Sequence, residues 1–159
     1  MSTEKKAVYD AVILLAKGYD EGFVSVCVGK LREAGIRTHL VGLKSQYVTS
    51  WHGIEMQADS LLRNWRFSES TRLVVVPGRS ECVAALAREP MVSELVRDVL
   101  RQDGSIAAAY SAETLLAEHQ QTLPADMSIL PKEIDADHYL PQGLEEDHTF
   151  IRSIIKHIR

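Results

Sequence analysis

Ser105-Ile106-Ala107-Ala108-Ala109-Tyr110-Ser111-Ala112-Glu113-Thr114-Leu115-Leu116-Ala117-Glu118 is the stretch that decides the fold. A short run of small apolar residues breaks at Tyr110 and passes straight into a helical pattern, with no Gly, Pro or polar loop between. That pattern predicts a strand turning sharply into a helix over 111–118. Enzymes of the α/β class hold a nucleophile at the apex of such a turn, where the backbone is strained and the N–H groups of the following helix converge on one point. Here the apex residue is a tyrosine, so the scaffold is easier to read than the activity.

Upstream of the turn the chain alternates strands and helices. Ala11–Ala16 is a continuous apolar run, as expected of a strand buried on both faces of a parallel sheet. The loop 17–22 leads to a helix carrying Phe23, Val24, Val26, Cys27 and Leu31 and closed by Gly35, and Thr38–Leu43 follows as the second strand. Strand, helix and strand in this order predict a right-handed βαβ unit. Residues 46–58 suit a small hairpin around Gly53, and Asp59 is placed to cap a short helix over 60–65. Leu73–Val76 is a buried strand stopped by Pro77-Gly78. Next come a helix over 81–88 and a second one with Pro90 in its first turn, closed by Gly104. That second helix puts Val92, Leu95, Val96, Val99 and Leu100 on one face.

Downstream the pattern weakens. Leu123-Pro124 and Leu130-Pro131 interrupt any helix, and 135–141 offers one short strand. From Glu145 a final helix carries Ile151, Ile154, Ile155 and Ile158 as a stripe, with basic residues towards its end that complement the macrodipole. The expected architecture is a three-layer α/β sandwich with a mostly parallel, flavodoxin-like sheet and helices on both faces.

The totals exclude several classes of function. A chain of 159 residues with 45% hydrophobic composition suits one domain, residues 1–159, with a full core. A formal charge of −4, with 18 scattered basic residues, gives no electrostatic footprint for nucleic acid or an anionic membrane. No apolar run approaches the roughly 20 residues of a membrane span. The start lacks an apolar signal core, and Cys27 and Cys82 form no CxxC pair, so a cytoplasmic protein with reduced thiols is expected.

The order of elements resembles the ThiJ/PfpI superfamily, also called the DJ-one family, within the class I glutamine-amidotransferase-like fold. Four stretches carry the resemblance: Val12-Ile13-Leu14-Leu15-Ala16-Lys17-Gly18-Tyr19-Asp20-Glu21-Gly22, then Leu31-Arg32-Glu33-Ala34-Gly35-Ile36, then Val74-Val75-Val76-Pro77-Gly78, and Ile106–Ala112 followed by Leu115-Leu116-Ala117. Asp59-Ser60-Leu61 matches the Asp after the family's hairpin. The family usually has a cysteine at the elbow, an acidic residue on the first helix bonded to it, and a histidine beside it. Matching the motifs puts Tyr110 at the cysteine position, Phe23 at the acid position, Leu130-Pro131 where many relatives have His-Pro, and Arg79 where a second glycine follows Pro-Gly. The usual chemistry is therefore missing.

None of the remaining candidates restores it. The Tyr110 phenol titrates near pH 10, far above a useful thiolate, and Ser111 reads as a helix-capping hydroxyl without a histidine partner. Glu113 and Glu118 read as first-turn and surface acids, and Cys27 as a buried filler. Cys82, close to Arg79, is the candidate reactive thiol. The six histidines show no metal-ligand spacing, so neither metal nor other cofactor is expected. The expected function is a non-catalytic module with no catalytic residues, in a regulatory or stress-related role. It binds a small anionic ligand or a protein partner at a remnant elbow pocket of Phe23, Gly78, Arg79, Tyr110 and Ser111. The alternative is a small-carbonyl lyase or hydrolase, of glyoxalase or deglycase type, using a non-standard nucleophile such as Cys82. The resemblance also implies a homodimer, with Tyr19, Phe23, Tyr47 and Trp51 as candidate interface aromatics.

Overall fold

The structure, a computed structural model, describes residues 8–66, 68–78, 80–108 and 144–158. Arg79, Tyr110 and Ser111, the helix expected over 111–118 and the strand expected over 135–141 lie outside them.

Among the described residues a five-stranded parallel sheet forms the centre, in the order β5-β2-β1-β6-β7. Its strands are β1 (Asp10–Leu15), β2 (Arg37–Gly42), β5 (Ser60–Leu61), β6 (Thr71–Val76) and β7 (Ser105–Ala108). A separate antiparallel hairpin, β3 (Tyr47–Thr49) and β4 (Glu55–Gln57), interrupts it in sequence. β1 is buried along its whole length, as its apolar run requires of a strand covered on both faces. The chain crosses from β1 to β2 in one direction along the sheet and from β6 to β7 in the other. Right-handed crossovers in opposite directions place their helices on opposite faces. Hence α1 (Glu21–Glu33) covers one face, and α2 (Ser80–Ala87) with α3 (Pro90–Arg101) covers the other. The last helix, α4 (Leu144–Ile158), packs against α1 with Ile151 and Ile154 fully buried.

Local chemistry sets most element ends. Asp20 caps α1, its Oδ1 accepting the Phe23 N–H at 3.0 Å, with Glu21 in the first turn and Lys30 and Arg32 in the last. The helix ends at Gly35 as expected, with the Ile36 N–H reaching back to the Leu31 carbonyl. Pro90 takes the first position of α3, also as expected, but Gly104 closes that helix differently. The left-handed position falls on Asp103, φ 59°, and Gly104 follows it, donating to the Val99 carbonyl at 2.9 Å. Gly104 is required by space: a Cβ there would strike Val99 and the Arg72 carbonyl.

Asp59 does not cap a helix. Ser60 and Leu61 form an edge strand paired with Val41 and Gly42 of β2, and only a single 3-10 turn follows at Leu62–Asn64, without a side-chain cap. The open edge of β2 offers backbone partners that an isolated short helix cannot match. Asp59 serves the same edge: its Oδ2 accepts the Leu40 N–H at 2.8 Å, while its own N–H donates to the Leu40 carbonyl.

β1 also begins one residue before its apolar run, at Asp10, which is buried. Arg37 reaches this carboxylate with Nε at 2.8 Å and Nη2 at 2.9 Å, His39 Nε2 lies at 3.2 Å, and the Ser70 hydroxyl donates to it. Burial pushes the Asp10 carboxyl up, but the hydrogen bonds from Ser70, His39 and Arg37 and the guanidinium charge outweigh it and hold it below the usual range. The first residues of β2 and the turn before β6 are thereby tied to the start of β1.

Candidate functional site

β1 and β6 are neighbours whose onward connections run in opposite directions, and the carboxyl ends of such a pair are where open α/β sheets commonly form a ligand crevice. Those ends are Leu15-Ala16-Lys17-Gly18-Tyr19 and Val76-Pro77-Gly78, and they touch: Tyr19 and Gly78 form an antiparallel bridge, and the Asp20 N–H donates to the Pro77 carbonyl at 2.7 Å. The hairpin folds over this point. The Gly18 N–H donates to the Thr49 carbonyl at 3.0 Å, the Trp51 N–H to the Tyr19 carbonyl at 2.9 Å, and the Tyr19 hydroxyl to the Ile54 carbonyl at 3.1 Å.

Two expected site residues, Phe23 and Gly78, are brought here. Phe23 is fully buried on the first turn of α1, where its ring packs in the core and offers no proton. Gly78 approaches α2 so closely that a Cβ would run into the Cβ and Sγ of Cys82. Burial of Tyr19 and Phe23 also removes both from the expected interface. Among the described residues the exposed aromatics include Tyr47 and Trp51, joined by Ile54, each about half exposed at 54%, 51% and 52%.

Cys82 lies beneath Gly78 with no solvent exposure, and burial pushes its thiol up to about 12, with Glu81 adding to the effect against a backbone contact at Ala16. A thiol in that state is neutral at physiological pH and is a weak nucleophile. Cys27 is also outside any disulfide and fully buried, as expected of a filler. Among the described residues, no group of three His, Cys, Asp or Glu could hold a metal ion.

Glu21 and His52 escaped the sequence reading, and Tyr19 entered it only as an interface aromatic. The Glu21 carboxylate, largely buried at the start of α1, meets His52 Nδ1 at 2.5 Å. Burial pushes it up, but its own backbone N–H, His52 and Ser50 reverse that and hold it below the usual range. Its Oε2 is buried without a hydrogen-bond partner of good geometry, although the Ser50 hydroxyl is close enough to favour the charge. Burial pushes the Tyr19 phenol up to about 12, with Glu21 and Glu55 contributing. The available signal was the run Tyr19-Asp20-Glu21 directly after a buried strand, at the position where α/β sheets place ligands.

The family model described as the DJ-1/PfpI family matches residues 9–126. Among curated proteins, Protein dj-1beta of Drosophila melanogaster is 30% identical over 110 residues, covering 69% of this chain and 58% of that protein. The Parkinson disease protein 7 homolog of Danio rerio is 28% identical over 134 residues, covering 81% of this chain and 71% of its own length. The chain thus spans between about half and three quarters of these relatives. Among solved structures, a DJ-1 superfamily protein of Salmonella typhimurium superposes with a TM-score of 0.72 at 24% identity, covering 94% of this chain and 90% of that one. Drosophila melanogaster DJ-1beta superposes with a TM-score of 0.72 at 21% identity, covering 95% of this chain and 90% of that one.

Proposed function

The chain belongs to the DJ-1/PfpI family, and from that premise we propose that it is a non-catalytic member, a binding module that works in a reducing, cytoplasmic setting. The observation that carries this reading is Cys82. It is the one cysteine beside the crevice, and it is closed beneath Gly78 with its thiol held neutral. Phe23, at the position where the family has its acid, supports the same reading, because a buried phenyl ring neither takes nor gives a proton. The proposal keeps a binding role for the remnant elbow pocket that the family pattern assigns to Phe23, Gly78, Arg79, Tyr110 and Ser111, with a small anion or a protein partner as its occupant.

The test is turnover. Purified protein should not consume methylglyoxal, model esters or peptides above background, since loss of a nucleophile unit costs several orders of magnitude in rate. Turnover that disappears in Cys82→Ser would replace the proposal with a thiol-dependent enzyme. For the crevice, a carboxylate or phosphate that raises the melting temperature should lose its effect in Arg79→Ala. Saturation at a hundred times the dissociation constant corresponds to about 2.7 kcal/mol.

Assembly as a homodimer belongs to the same proposal. Exposed Tyr47, Trp51 and Ile54 all lie on or beside the hairpin, which is clamped to β1 through Tyr19 and so presents them rigidly. Sedimentation at micromolar concentration should give a dimer, and Trp51→Glu should shift it to monomer. A wild-type species near the chain mass of 17.8 kDa would end this part of the reading.

A further inference from the structure

A cavity of about 400 Å³ opens on the carboxyl-end side of β1, lined by Leu15, Ala16 and Lys17 but not by Tyr19 or Gly78. Four segments distant in sequence build it: the exit of β1, the loop between β2 and β3, β3 itself, and the last turn of α2 with the residues after it. Its floor is apolar. Leu15, Ala16 and Val48 are buried there, and Leu43 and Ala85 are half-buried. Its rim is cationic, with Lys17, Lys44 and Arg88 all exposed, against one carboxylate, Glu89. Among the described residues none of these three cations takes part in an ion pair of the kind that holds Arg37 or Lys30.

On a chain with formal charge −4, a local excess of positive charge around an apolar hollow calls for an explanation. Three cations line this one hollow against a single carboxylate, so an anion entering it meets a net positive rim. The Arg88 fork and two ammonium groups match the several acceptor oxygens and near-double charge of a phosphate better than a single carboxylate. The volume lies in the range of small-molecule sites, where an apolar lining holds the body of the ligand and a few polar groups fix its orientation. We propose that this cavity binds an organic phosphate monoester with a compact apolar body, the body on Leu15, Val48 and Ala85 and the phosphate among Lys17, Lys44 and Arg88. The inference stands independently of any role for the crevice.

Calorimetric titration of the full chain with phenyl phosphate tests it. Binding should be saturable and at least about tenfold tighter than that of inorganic phosphate, which uses only the rim, and of benzyl alcohol, which uses only the floor. Lys44→Gln with Arg88→Gln should weaken phenyl phosphate by at least about tenfold, because both exposed cations are removed without disturbing the core. Ala85→Phe should abolish binding by filling the hollow while leaving every charge in place. In an Arg79→Ala background, which removes any phosphate binding at the crevice, phenyl phosphate should still bind and should still be weakened by the Lys44/Arg88 double substitution. The proposal is overturned if phenyl phosphate binds no tighter than inorganic phosphate, or if the Lys44/Arg88 double variant, melting as the wild type does, binds with wild-type affinity. It is equally overturned if affinity is lost in Arg79→Ala and kept in the double variant, which would assign the anion to the crevice.

Discussion

Asp10 at the amino-terminal end of the sheet and Glu21 at the carboxyl-terminal end are both largely buried carboxylates held in the charged form, but their surroundings differ. Asp10 is matched on both oxygens by Arg37, with His39 and Ser70 completing its shell, and the groups come from the starts of β1 and β2 and the turn before β6. Glu21 meets the exposed His52 on the hairpin, with Ser50 nearby, and its Oε2 is left without a well-formed bond. A buried polar network satisfied throughout fixes strand register; one left incomplete stabilises less and keeps acceptor capacity for something else. The amino-terminal end is therefore built for stability. The carboxyl-terminal end is built around a bridge and a hairpin, on the side where α/β sheets place their ligands.

The largest expected effect is at the satisfied end. Asp10→Ala should cost about 3 kcal/mol in denaturant unfolding, the low end for breaking a buried charge pair, because Arg37 is 59% exposed and regains water. A cost below about 1 kcal/mol would erase the contrast. The same clamp sets the response to acid. Since the folded-state value of Asp10 is lowered from 3.8, its contribution is complete above that pH and is lost as pH falls through the folded value. The stability gap between wild type and Asp10→Asn should therefore be constant near neutrality and close below pH 3.8.

At the other end, Gly78→Ala should cost about 2 kcal/mol by overpacking against Cys82. A neutral result would mean that α2 can shift away from β6, and that Cys82 is less enclosed than its burial implies. Smaller still, Glu21→Gln should cost about 1 kcal/mol, since it loses the charge-assisted contact to an exposed histidine while keeping an acceptor. If Glu21→Gln proves as damaging as Asp10→Ala, Glu21 is a structural clamp and the two ends are alike.

Much of the fold was legible in the sequence because its signals are local. The apolar runs at 11–16 and 73–76, the Gly35 stop and Pro90 each act within a few residues of themselves, so a short window contains both cause and effect. The Asp20 cap is as local, but that residue falls in the loop 17–22 of the sequence reading. The isoleucine stripe of the last helix was legible for the same reason, although its partner, α1, was not. Of the site, the family pattern supplied Phe23 and Gly78. Exposure was misjudged for Tyr19 and Phe23, because an aromatic beside a loop looks identical in sequence whether or not a hairpin later folds over it.

By itself the sequence determined the alternation of strands and helices, the parallel sheet and the family, since hydrophobic period and capping chemistry are properties of neighbouring residues. Only the tertiary structure decided which groups those elements bring together. Asp59 abandons a helix cap for the Leu40 N–H, Asp10 gathers Arg37, His39 and Ser70, Cys82 is sealed under Gly78, and Lys17, Lys44 and Arg88 meet around one hollow. Each of these is a contact across the chain, fixed by strand order and crossover hand, and a side chain's burial and charge partners exist only once distant segments have packed.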